Sequence, residues 1–114
     1  MSCDVEDIVT RTETLRSSPT PMWSRIRELL RERGIEPTMS ALVEFFPDDA
    51  SFQYGVLATA DGRVFQFGFD YLHRSERDGI FAEWRDCTAS PPDICSDADI
   101  EVAFRIARGE KRAR

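Results

Sequence analysis

Asp61-Gly62 stands between two stretches in which apolar and polar residues alternate, and no other feature of the 114-residue chain constrains its fold so tightly. An Asp-Gly pair in that setting is the signature of a two-residue type I′ hairpin turn. Such a turn sets the register. Ala60 faces Arg63, and counting outward Val56 faces Phe67, Gly55 faces Gly68 and Phe52 faces Tyr71. That pairing gathers Phe52, Tyr54, Val56, Ala58, Phe65, Phe67, Phe69 and Tyr71 on one apolar face. The other face holds Gln53, Gly55, Leu57, Thr59, Val64, Gln66, Gly68 and Asp70 and is largely polar. A slip of one residue would mix the two sets, because side chains alternate with a period of two.

The remaining elements follow from periodicity and punctuation. Val5, Ile8, Val9, Thr12 and Leu15 recur at helical spacing over residues 4–16, with acidic residues first and Arg11 and Arg16 later, as a helix dipole favours. Thr20 and Pro21 supply an N-cap and a first helical position, Met22, Trp23, Ile26, Leu29 and Leu30 an apolar stripe, and Gly34 a stop. The charged residues of that second helix are expected to face water, its four arginines offset by interleaved glutamates. From Thr38 the period changes to two, and Met39 to Phe46 reads as a strand ended by Pro47-Asp48-Asp49-Ala50. Gly79 to Thr88 reads as a further strand, and Ser96 with Asp99 as a capping box opening a last helix that ends at Gly109. The expected fold is α+β, a two-layer sandwich in the order α-α-β-β-β-β-α. An antiparallel meander of about four strands carries its helices on one face. Residues 1–109 are expected to form one domain and 110–114 a short, basic, frayed tail.

Composition limits what such a domain can do. Lys and Arg number 15 against 21 Asp and Glu, a net charge of −6. The basic tail from Arg105 onward nets +4, which leaves −10 on the first 104 residues. A body of that sign repels nucleic acid and attracts basic surfaces. No apolar run approaches the ~18 residues of a membrane span. The N-terminal residues show no basic and apolar leader, and three cysteines, Cys3, Cys87 and Cys95, make an odd set without a pairing pattern. The expectation is a cytoplasmic protein with reduced thiols.

No constellation announces catalysis, and no catalytic residue, metal ligand or cofactor is predicted. Cys87 and Cys95 have only His73 as a nitrogen partner, short of a four-ligand zinc site. Cys87 with His73 supplies the residue types of a nucleophilic pair without a local elbow or Gly-rich turn. Asp48-Asp49 suits a turn, and Asp97 and Asp99 suit a helix start. The aromatic run Val64 to Tyr71 has one basic residue nearby, Arg63, where base-stacking sheets carry several. Gly55 opposite Gly68 would weaken both strands. Either a bend or a ring packs there, or the pair forms a shallow saddle lined by Gln53, Gln66 and Asp70 with Asp48, Asp49 and Glu44 near its edge.

The stretches Leu42-Val43-Glu44-Phe45-Phe46-Pro47-Asp48-Asp49, Phe52 to Tyr71 and Gly79-Ile80-Phe81-Ala82-Glu83-Trp84 resemble the small immunity proteins that bacteria encode beside polymorphic toxins. The resemblance spans about half the chain and is one of pattern. It implies a non-enzymatic inhibitor that binds a toxin domain with a basic surface and blocks its active site or substrate channel. The residues expected at the partner surface are Asp48, Asp49, Asp70, Glu83 and Trp84. No direct contact with nucleic acid or membrane is expected, and monomer and homodimer both remain open. The rival readings are an acidic secretion chaperone holding an exported effector and a small enzyme using Cys87 and His73.

Overall fold

The computed structural model describes residues 5–47, 52–71, 79–92 and 95–109. Cys3, Asp48, Asp49, His73 and residues 110–114 lie outside them. Two helices come first, α1 (Val5–Ser17) and α2 (Pro21–Glu32), followed after a 3-10 turn at Pro37–Met39 by β1 (Ser40–Pro47). Then come β2 (Phe52–Thr59), β3 (Val64–Asp70), β4 (Ile80–Asp86) and α3 (Asp97–Ala107). The strands make one antiparallel sheet in the order β1-β2-β3-β4. The α+β class, the meander and the element order are as expected.

The glycine stop of α2 and the cap of α3 behave as their chemistry dictates, whereas Thr20 takes the N-cap position without a side-chain capping hydrogen bond. Thr20 precedes Pro21 at the start of α2. At its end Gly34 takes φ +79°, the Ile35 amide donates to the Leu30 carbonyl at 2.9 Å, and the Gly34 amide donates to that of Arg31 at 3.0 Å. This is a Schellman stop. At α3 the Ser96 hydroxyl accepts from the Asp99 amide at 3.1 Å and the Asp99 carboxylate accepts from the Ser96 amide at 3.3 Å, completing the capping box.

The hairpin departs from expectation by one residue. Val56 pairs with Gln66, Leu57 with Phe65 and Ala58 with Val64, and the Thr59 amide donates to the Arg63 carbonyl at 2.9 Å. The loop is therefore Ala60-Asp61-Gly62. A type I′ turn needs φ > 0 at both central residues, yet only Gly62 adopts it, at +90°. The Gly62 amide instead donates to the Thr59 carbonyl at 3.0 Å, a tight turn followed by a left-handed glycine. Side chains favour this longer loop. The Asp61 carboxylate accepts from the Thr59 hydroxyl and from Arg63 Nε at 3.0 Å, and the Thr59 hydroxyl accepts from the Arg63 amide at 3.1 Å.

That single step redistributes the sheet. Phe65, Phe67 and Phe69 turn to the face of Leu42, Phe45 and Leu57, away from Phe52, Tyr54 and Val56. Both faces are now apolar, so helices cover both, where one face was expected. On one side Trp23, Ile26, Leu29 and Leu30 of α2 pack with Leu42, Leu57, Phe65, Phe67 and Phe69. On the other, Ile100, Ala103 and Ala107 of α3 pack with Ala41, Val43, Val56, Ala58 and Val64. Helix α1 reaches both cores, through Leu15 and Ile8 respectively.

Two arginines of α2 are fasteners rather than a solvated face. Arg27 donates to the Leu15 and Ser18 carbonyls at 2.9 and 2.7 Å, and Arg25 donates to the Gly79 carbonyl at 2.9 Å. Just past the helix, the Arg33 guanidinium lies 4.6 Å from the Trp84 ring and 5.5 Å from that of Phe81.

Candidate protein-binding surface

Helix α3 has 11 residues and packs on β1 and β2. At 1.5 Å per residue it spans about 16 Å, too little to cover a four-stranded face. Beyond it, among the described residues, the same sheet face presents Phe46 from β1, Phe52 and Tyr54 from β2, Gln66 and Asp70 from β3, and Glu83 and Arg85 from β4. Phe46 is 39% exposed, Phe52, Tyr54, Gln66 and Asp70 are partly exposed, and Glu83 and Arg85 are exposed.

The aromatic residues here form a group. Ring centroids of Phe52 and Tyr54 lie 5.0 Å apart and those of Phe46 and Tyr54 5.9 Å apart. The Phe52 ring lies over Gly68, where a Cβ would come within 2.7 Å of it. Gly68 opposes Tyr54, and Gly55 opposes Phe67 under the Phe67 ring. Each glycine is thus the seat of a neighbouring strand's ring, on opposite faces. No glycine–glycine saddle forms, and Gln53 points to the face opposite Gln66 and Asp70.

Carboxylates border the aromatic group. Asp70 stands beside Phe52 in register, Glu83 beside Gly68, and Glu44 beside Val56 with its Oε1 4.0 Å from Arg11 Nη2. A shallow cleft of about 320 Å³ at the β4 edge is lined by Gln66, Glu83, Trp84 and Arg85. Of the residues expected at a partner surface, Asp70 and Glu83 therefore share one face. Trp84 does not join them. It pairs with Phe67 on the α2 face, its ring 4.9 Å from Phe65 and 5.1 Å from Phe81. Asp48 and Asp49 lie outside the described residues. Sequence reasoning missed this group: the assumed register had assigned Phe52 and Tyr54 to the covered apolar face, and Phe46 was read only as a strand residue. Thr59 and Asp61 carried the signal for the longer loop that exposes them.

Other groups offer less chemistry. A cleft of about 180 Å³ at the hairpin end is lined by Gly34, Met39, Ala60, Asp61 and Arg63, among others. The Thr59 hydroxyl, followed by Arg63, holds the Asp61 carboxyl below the usual range, keeping it ionised. Cys87 is buried under α3 and its Sγ donates to the Arg85 carbonyl at 3.7 Å. Burial first, then the negative charges of Glu44 and Asp99, push the Cys95 thiol up to about 11, so at neutral pH it is a protonated core residue. Among the described residues no three His, Cys, Asp or Glu side chains converge to hold a metal ion, and no helix is long and apolar enough to cross a membrane. Comparison of the chain with protein-family models, curated proteins and solved structures returns no match.

Proposed function

We propose that this is a non-enzymatic binding protein that seats a basic protein partner on the part of the sheet beyond α3. In its most specific form it is a cytoplasmic immunity protein that neutralises a cognate bacterial toxin domain. The observation that carries the reading is the grouping of Phe46, Phe52 and Tyr54, bordered by Asp70 and Glu83, on the part of the sheet face that α3 does not reach. Clustered aromatic anchors ringed by charge are the composition of a protein-binding surface. The −10 body makes a basic partner the complementary one. Its carboxylates act chiefly on encounter rate and specificity, and its aromatic rings on lifetime. Buried free thiols at Cys87 and Cys95 suit a reducing compartment.

The test is capture of the partner from the native host, followed by association kinetics with single variants. Asp70→Lys slows association several-fold at low salt and flattens its salt dependence. Tyr54→Ala leaves association nearly unchanged and speeds dissociation. Co-expression with the captured partner protects a sensitive cell when the chain is wild type. Rates indifferent to both substitutions, or turnover of a metabolite by the purified protein, overturn the reading.

A further inference from the structure

The sheet's two edges differ. Along β1, helix α1 occupies the outward backbone groups: the Leu42 amide donates to Thr12 Oγ1 at 3.0 Å, Arg11 donates to the Val43 carbonyl at 2.7 Å, and Arg16 to the Ser40 carbonyl at 3.0 Å. Among the described residues β4 has no such cover. The Cys87 amide donates to the Val64 carbonyl at 2.7 Å, and Arg85 pairs with Gln66. Peptide groups alternate in direction along an antiparallel strand, so those of Trp84 and Asp86 point away from β3. Ala82 is the extra residue of a bulge, leaving Glu83–Asp86 as the regular segment. A bare regular edge is a template for another strand.

The side chains of β4 select which strand. Glu83 and Arg85 are exposed, lie on one face two residues apart, and form no ion pair with another described residue. We propose that β4 pairs antiparallel with β4 of a second copy, centred on Trp84, fusing two four-stranded sheets into one of eight. In this register Glu83 faces Arg85 of the second copy and Arg85 faces its Glu83, so one two-fold axis makes two opposite-charge pairs. Trp84 faces Trp84, and because its peptide groups are the outward ones, the central pair exchanges two hydrogen bonds. The partly exposed indole, already under Arg33, gains a neighbouring indole on the α2 face. The adjacent registers that keep outward groups opposed centre on Glu83 or on Arg85. Each sets like charges against one another at the axis, which is destabilising. The strand is complementary to itself in one register only.

The pairing does not use Phe46, Phe52, Tyr54 or Asp70, and only Glu83 and Arg85 are common to it and the proposed binding face. Its failure therefore leaves that face untested rather than refuted. Sedimentation velocity on the full chain over a concentration series reads it directly. The wild type is a concentration-dependent dimer. Glu83→Arg and Arg85→Glu each weaken the dimer by about tenfold or more, since each replaces two attractive pairs with two repulsive ones. An equimolar mixture of the two single variants regains wild-type association, because each chain then presents the charge the other needs. The double variant, with both charges exchanged, also dimerises like the wild type and decides the register should a single variant fail to fold. A wild type that stays monomeric, single variants that dimerise undiminished, or a double variant that stays monomeric each overturn the proposal.

Discussion

Thr12 shows how much one hydroxyl decides. Helical periodicity places it on the apolar stripe of α1, and it is 2% exposed there, yet its oxygen is the acceptor for the Leu42 amide on the sheet edge. Thr12→Val keeps the shape and removes the acceptor, stranding a buried N–H. The expected cost is about 1–3 kcal/mol in chemical denaturation. The two sheet glycines make a contrasting pair. A methyl group at Gly55 would overlap the ring of Phe67, which is 1% exposed and hemmed in, so Gly55→Ala costs about 1–3 kcal/mol by overpacking. At Gly68 the obstructing ring is Phe52 at the partly exposed surface, which can swing aside, so Gly68→Ala costs measurably less. Cys95 adds a pH signature. Its thiol titrates near 11 in the fold against 9.0 ordinarily, so the folded state favours the protonated form. Stability is full below pH 9 and declines as pH rises from there toward 11. Denaturation midpoints across that window should show this decline for the wild type and a shallower one for Cys95→Ala.

At the scale of elements, the hairpin loop and α1 set the architecture. The three-residue loop depends on a left-handed residue at position 62, where any side chain is strained. Gly62→Ala is expected to lose about 1–2 kcal/mol, with Gly62→Asn losing less. Most element identities were legible from residues alone, since Pro21, Gly34, Ser96, Asp99 and Gly109 are punctuation whose chemistry is local. The register was not. Asp61-Gly62 is compatible with two loop lengths, and the choice rests on hydrogen bonds among Thr59, Asp61 and Arg63 that exist only once the loop has closed. The role of α1 was equally hidden. Its carbonyl-seeking Arg11 and Arg16 read in sequence as dipole-matched surface charges, whereas they bind β1, residues 24 to 32 positions away in the chain.

Over the whole molecule, the sheet separates two cores. Leu30 belongs to the α2 side and Ile100 to the α3 side, 0% and 7% exposed. Leu30→Ala and Ile100→Ala should each cost about 2–5 kcal/mol. With the sheet between them, their effects should add to within about 0.5 kcal/mol in a double-mutant cycle. A larger coupling would mean that strain crosses the strands. The same layering explains why the candidate site was only half readable. Asp70 and Glu83 were named from charge, and both lie on the sheet face that carries α3. Trp84 was named from size and lies on the other, because strand parity, not residue type, assigns the face. Helix and strand identities, the strand order and the acidic character follow from the chain alone, because propensity, capping and net charge are properties of neighbouring residues or of the total. Which rings are buried and which remain at the surface was decided only in three dimensions. A shift of one residue at a turn inverts every side chain beyond it, and that shift is chosen by contacts the unfolded chain does not make.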